Sequence, residues 1–206
     1  MRTMQILVAT KNVGKVKELK RLFADLPLRL RHLNEFSGVV EAEEPGATLA
    51  ENAVLKAQSY ALQTGIWALA DDSGLEVEAL GGAPGVFSAR FAGENATDEE
   101  KIQKLHDELN IRQDENRRAR FVCMMAVSDE KGEIKFLTEG ICAGRIALTP
   151  KGANGFGYDS IFIPDGFSQT FAELSNETKG KISHRAQASE KIIQYLRDFT
   201  AISLDQ

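Results

Sequence analysis

The sequence predicts an α/β fold: a mixed sheet with helices packed on it, arranged as two lobes with a groove between them. Three observations predict it. The first third of the chain alternates short apolar runs with amphipathic stretches, in the order βα, βα, β. A strand-rich middle follows, in which residues 120–148 read as one long hairpin. An amphipathic helix closes the chain after Ser183. The sequence shows no internal repeat, low-complexity tract or long linker, so residues 1–206 are read as a single domain.

Residues 5–9 form an apolar run and are read as a buried strand. A helix follows to about Phe23, with Val16, Leu19, Leu22 and Phe23 on its apolar face. Residues 28–33 alternate and give a second strand. An acidic loop with Glu43 and Glu44 leads to a helix opened by Thr48 and Glu51, a capping-box pair, and closed by Gly65. The next strand, 66–70, runs into Asp71 and Asp72 and ends there in a Ser-Gly turn. Residues 81–93 read as a Gly-rich surface segment. Thr97 and Glu100 form a second capping box, opening a helix to about Asn110, and a charged loop spans 113–118. The hairpin turns at 129–132. Its first strand has Phe121, Cys123, Met125 and Val127 on one face and Val122, Met124 and Ala126 on the other, so both faces are expected to be covered. A second Gly-rich loop, 151–159, precedes a short strand at 161–163. In the last helix Ala186, Ile192, Ile193, Leu196 and Phe199 form the core side.

Composition narrows the function. The chain carries a net charge of −5, which disfavours a nonspecific nucleic-acid or anionic-membrane binder. No apolar run approaches the roughly 18 residues of a membrane span. The start leads directly into a strand pattern without a signal-peptide layout, so a cytoplasmic protein is expected. Cys123 and Cys142 lack metal-ligand spacing and are read as reduced packing residues.

Several groups of residues carry chemistry. Asp71 and Asp72 stand at the expected exit of a strand, where open α/β sheets bind ligands, and paired acids there suit Mg²⁺. The bland alternative is a polar turn. Thr10, Lys11, Asn12, Val13, Gly14 and Lys15 join a strand to a helix N-terminus, where unpaired N–H groups and the helix dipole favour anions. The alternative is a capped surface helix with a solvated lysine. Asn52 and Lys56 share a helix face at i, i+4, where Lys56 can hold a carboxylate or a phosphate. Gly152, Gly155 and Gly157 frame Phe156 and Tyr158, which are either stacking platforms for a base or core aromatics. Lys179, Ser183, His184 and Arg185 form a basic cluster, and cations at a helix N-terminus oppose its dipole, which hints at a ligand. His106 lies among apolar neighbours and is read as structural.

The motifs T-x-N-x-x-K, E-E-x-G-x-T, E-N-A-x-x-K-A, A-D-D-S-G-L, G-G-A-P-G-x-x-S-A-R, G-F-G-Y-D and S-H-R occur in one order between residues 5 and 196. In this combination the chain closely resembles the inosine triphosphate pyrophosphatase family, which acts on noncanonical purine nucleoside triphosphates. The resemblance implies an elongated central sheet, a substrate cleft between two lobes, and a homodimer. It implies Mg²⁺-dependent hydrolysis of ITP, dITP and XTP to the monophosphate and pyrophosphate. Thr10 to Lys15 would cradle the triphosphate. Asp72 would be the general base, with Lys56 beside it, and Asp72 and Glu44 would hold Mg²⁺. Ser73 would touch substrate, and Phe156, Gly157, Tyr158, Asp159, Lys179, His184 and Arg185 would surround base and sugar. Two positions depart from the family pattern. Lys11 stands where a small residue is common and adds charge near the phosphates. Tyr158 stands where some members have tryptophan and is expected to keep stacking.

These residue types suit the chemistry. Lysines neutralise phosphoryl charge, and a carboxylate orients and deprotonates water. Lys179 and Arg185 only donate hydrogen bonds, which matches the 6-keto acceptor of hypoxanthine and xanthine and mismatches the amino group of adenine. Guanine also has a 6-keto group, so this argument does not account for rejection of GTP. Two other readings are a noncatalytic purine nucleotide sensor and a Maf-like nucleotide pyrophosphatase. Intact Asp71, Asp72 and Glu44 argue against the sensor, and the tail from G-F-G-Y-D to S-H-R argues against the Maf-like enzyme.

Overall fold

The structure is a computed structural model and describes residues 3–112 and 115–202. The strands are β1 (Met4–Val8), β2 (Leu28–His32), β3 (Trp67–Val77), β4 (Arg118–Ser128), β5 (Ile134–Ile146) and β6 (Phe162–Pro164). The helices are α1 (Val13–Leu22), α2 (Leu49–Thr64), α3 (Asp98–Arg112), α4 (Asn176–Ile182) and α5 (His184–Ile202). The strands form one six-stranded sheet in the order β2-β1-β3-β4-β5-β6. Strand β1 pairs in parallel with β2 and β3, whereas β6 runs antiparallel to β5, so the sheet is mixed. The expected α/β class, with flanking helices, is what the chain adopts.

Two compact units divide the chain. The first contains residues up to Asp72, Cys123–Gly140, and Ala186 onward. Here the alternation of each strand feeds two cores. Ile6 and Val8 of β1, Leu69 of β3, and Cys123, Met125 and Val127 of β4 meet Leu19 and Phe23 from the first helix and Ile192 and Leu196 from α5. On the opposite face Leu7, Ala68, Ala70 and Ala126 meet Ala53, Ala57, Tyr60 and Ala61 of α2. The alanines on both sides let α2 lie close to the sheet. Both faces of β4 are covered, as its apolar run requires.

The second unit contains Ser73–Val122 and Ile141–Arg185. Leu75 and Val77 of β3, Phe121, Ile161, Phe162 and Phe171 pack with Ile102, Leu105 and Leu109 of α3. Phe121 stacks at 4.6 Å on the His184 ring and meets Phe162 edge-on at 4.7 Å.

Both expected capping boxes form: Thr48 with Glu51 and Thr97 with Glu100 exchange reciprocal hydrogen bonds. Gly65 closes α2 at φ 65°. Several expectations change. The third strand does not stop at Ala70 but continues through Asp71, Asp72, Ser73 and Gly74 to Val77. Gly74 is not a turn residue; a side chain there would collide with the Gly85 carbonyl, so the glycine permits close approach. The segment 81–93 is not simply surface, because it holds the short 3₁₀ stretch Gly85–Arg90 with Ser88 buried. Helix α4 was not expected at all. The charged loop read at 113–118 lies partly outside the described residues, and β4 already begins at Arg118.

Candidate active site

The β1–α1 junction follows the local rules of a helix start. Asn12 is the N-cap, and its side-chain oxygen accepts the Lys15 N–H at 3.1 Å. Thr10 Oγ1 accepts the Asn12 N–H at 3.2 Å. Val13 and Gly14 begin the helix, where backbone N–H groups lack intrahelical acceptors. The Asn12 oxygen is therefore spent on the cap, while the amides of the first turn still define an anion-accepting end. Lys11 makes an exposed ion pair with Glu41 at 2.8 Å, a contact of little energetic weight.

Alternation along β3 sends Asp71 and Asp72 to opposite faces. Asp71 is fully buried and meets Lys15 from α1, with Nζ 3.2 Å from Oδ1. Its other oxygen lies 3.8 Å from the Cys123 thiol. Asp72 faces α2. There Lys56 Nζ donates to its Oδ1 at 3.0 Å and Asn52 Nδ2 donates to its Oδ2 at 3.2 Å. The same Lys56 ammonium lies 3.2 Å from Glu44 Oε1, so one cation joins two carboxylates. Asn52 also accepts the Gly46 N–H at 2.8 Å, which fixes the acidic loop against the helix.

Lys56 is largely buried. Burial works against its charge, but Asp72, Asp71 and Glu44 outweigh that cost and hold its pKa above the ordinary 10.5. It therefore stays an ammonium at neutral pH and cannot serve as a base. Among the described residues no group of three or more His, Cys, Asp or Glu side chains converges as a metal cage. Glu44 and Asp72 nevertheless converge on one cation, and two carboxylates completed by substrate phosphates are a normal ligand set for Mg²⁺. The donor set fits that ion.

In the second unit, Asp159 organises the Gly-rich loop. Its Oδ2 accepts the Phe156 N–H at 2.9 Å and the Lys179 ammonium at 2.6 Å. Lys179 projects from α4 and lies 5.3 Å from the centre of the half-buried Phe156 ring. The Arg185 guanidinium is 5.8 Å from the same ring, and its Nη2 donates to Ser73 Oγ at 3.0 Å. Ser73 thus positions Arg185. His184 and Arg185 are the first residues of α5, as expected, and both are buried. A cavity of about 490 Å³ is lined by residues including Asp98, His106, Phe156, Gly157 and Asp159.

Tyr158 corrects the sequence reading. Its ring is buried and its hydroxyl donates to the Ser88 carbonyl at 3.0 Å, so it belongs to the core. The half-buried ring beside the cations is that of Phe156. His106 bonds the Ala147 carbonyl at 3.1 Å, a structural role as expected. Both cysteines are buried and reduced; burial pushes the Cys142 thiol up to about 11. Asn52 was visible at i, i+4 to Lys56 but was not placed in the site. The separate pairing of Asp71 with Lys15 does not follow from the sequence, which presents the two acids as one pair at a strand exit.

Fold and site together are those of an α/β protein that sets an anion-accepting helix start beside buried acids and lysines. The chain belongs to the Ham1 family, whose model matches residues 6–195. It is 47% identical over 189 residues to the dITP/XTP pyrophosphatase of Bacillus anthracis, covering 91% of this chain and 94% of that one. It is 44% identical to the dITP/XTP pyrophosphatase of Coxiella burnetii, covering 95% and 98%. The solved Ham1 protein from Coxiella burnetii superposes with a TM-score of 0.88 at 43% identity, covering 95% of this chain and 100% of that one. The Staphylococcus aureus Ham1 protein superposes with a TM-score of 0.83 at 41% identity, covering 94% and 98%.

Proposed function

We propose that the chain hydrolyses ITP, dITP and XTP to the nucleoside monophosphate and pyrophosphate, clearing these nucleotides from the precursor pool. The observation that carries this reading is the Lys56 ammonium held between Glu44 and Asp72. The names of relatives at 44–47% identity, dITP/XTP pyrophosphatase, support the same substrates.

Asp72 is the general base. Its carboxylate, oriented by Asn52 and Lys56, takes the proton of a water that attacks the α-phosphorus. Lys56 remains protonated and neutralises charge that develops on the phosphoryl oxygens. The amides of Val13 and Gly14 and the Lys15 ammonium take the phosphate chain. Glu44 and Asp72 would hold Mg²⁺, which when bound supplies Lewis-acid neutralisation of phosphoryl charge. In the second unit, Phe156 offers a ring face to the purine, and Lys179 and Arg185 offer donors to its 6-keto oxygen. Thr10 and Asp159 support these groups by accepting the Asn12 and Phe156 N–H groups. The reading includes a homodimer acting in the cytoplasm. Among the described residues no helix is long and apolar enough to cross a membrane.

Pyrophosphate release with Mg²⁺ from ITP, dITP, XTP, GTP and ATP tests the proposal. Rapid release from the first three, with little from GTP and ATP, is expected. Release of orthophosphate alone, or binding of ITP without turnover, would overturn it.

A further inference from the structure

The loop that carries Phe156 is inherently soft. Gly155 and Gly157 flank the ring with φ of 82° and 62°, a region that glycine enters freely. Two consecutive amides of this loop are nevertheless held by carboxylates. Asp159, from the loop itself, accepts the Phe156 N–H. The next amide, Gly157 N–H, donates at 2.5 Å to Asp98 Oδ2 in the first turn of α3, 59 residues earlier in the chain. The other Asp98 oxygen accepts the Lys101 ammonium at 2.6 Å. Asp98 also lines the same 490 Å³ cavity as Phe156, Gly157 and Asp159.

An acid in the first turn of a helix is stabilised by the dipole alone, and that accounts for an acidic residue here. It does not account for a carboxylate oxygen spent on a distant glycine amide. We infer that Asp98 is a positioning residue for purine binding: it fixes the Phe156–Gly157 peptide from α3 and so holds the Phe156 ring in its ligand-ready orientation. The inference rests on the proposed purine site.

The mechanism predicts a particular kinetic signature. Without the tether the loop populates other peptide orientations, and apparent affinity falls by the fraction that remains competent. The bound complex is unchanged, so the loss falls on KM more than on kcat. Loss of one charge-assisted hydrogen bond sets the scale at roughly tenfold.

The test compares Asp98→Ala, Asp98→Asn and Lys101→Ala with the unsubstituted protein. KM and kcat for ITP are measured with Mg²⁺, and amide hydrogen exchange is followed at residues 155–158. Asp98→Ala is expected to raise KM roughly tenfold and to speed exchange at Gly157 by a similar factor. Asp98→Asn keeps an oxygen acceptor and should restore most of both. Lys101→Ala removes only the ion pair to the other Asp98 oxygen and should change neither. Exchange at Gly157 that is equally slow in Asp98→Ala, or KM shifts of equal size in Asp98→Ala and Lys101→Ala, would overturn the inference. If Asp98→Ala fails to fold, unequal exchange at Gly157 between Asp98→Asn and Lys101→Ala, with faster exchange in Lys101→Ala, overturns it. An unsubstituted protein that releases no pyrophosphate from ITP would instead refute the proposed function, while the exchange measurement still decides the tether.

Discussion

Asp71 and Asp72 are adjacent in β3 yet are neutralised by different lysines, Asp71 by Lys15 and Asp72 by Lys56. The pleat of a strand separates them, so each acid has its own task. Asp71 is sealed in the interior and anchors the lysine of α1. Asp72 retains a little exposure, and it is the acid that shares a cation with Glu44.

Replacing Asp72 by asparagine keeps the shape and removes the proton acceptor. Its kcat for ITP should fall roughly 10²- to 10⁴-fold, the usual contribution of a general base, with KM little changed. Pyrophosphate release under saturating ITP measures this. Turnover near that of the unsubstituted protein would remove Asp72 from the role.

Lys56→Met leaves two carboxylates without their shared ammonium. Breaking a buried pair in this way destabilises by about 3–5 kcal/mol, and the half-exposed Glu44 contributes the smaller part. Thermal unfolding reads the loss. With Glu44 and Asp72 as the proposed ligands, added Mg²⁺ should raise the Tm of this variant more than that of the unsubstituted protein. An equal rise in both proteins would argue against Glu44 and Asp72 as ligands.

Stability should follow the raised pKa of Lys56. A cation held above its unfolded value of 10.5 contributes fully below that pH and is lost only as pH climbs through the higher folded value. The Tm difference between the unsubstituted protein and Lys56→Met should therefore stay flat from about pH 7 to about pH 10 and shrink above that range. Shrinkage already near neutrality would contradict the assignment of a persistent ammonium.

Arg185→Ala removes a buried donor whose cost is felt when adenine cannot accept from it. The preference for ITP over ATP should narrow roughly tenfold, as expected for one unpaired buried group. The ratio of kcat/KM values gives the answer. An unchanged ratio would locate base discrimination elsewhere.

Tyr158→Phe should cost about 0.5–1.5 kcal/mol through loss of the hydrogen bond to the Ser88 carbonyl. Its ITP to ATP preference should not change, because the ring lies in the core rather than against the purine. A shift in preference would restore Tyr158 to the base site.

Much of the fold was legible in local pattern. Thr48 and Thr97 announced their helices because a cap is a contact between near neighbours. The apolar run of β4 announced burial on both faces. What failed depends on distant partners. Asp71, Asp72, Ser73 and Gly74 look like the end of a strand until Lys15, Lys56 and Asn52 supply their counterions and donors, and until Gly85 needs the space beside Gly74. Helix α4 is seven residues long and contains Gly180, so its periodicity is too short to read. The site followed the same division. Asn12, Lys15 and the His184-Arg185 start of α5 could be placed by helix rules, whereas the burial of Tyr158 depends on a carbonyl 70 residues away.

The internal ammonium of Lys56 also bears on life without metal. Two acids that converge on one point repel each other and would push the acidic loop away from α2 without a cation between them. Here the counterion is covalently part of the chain, so the acidic loop stays joined to α2 through Lys56 whether or not an ion arrives from solution.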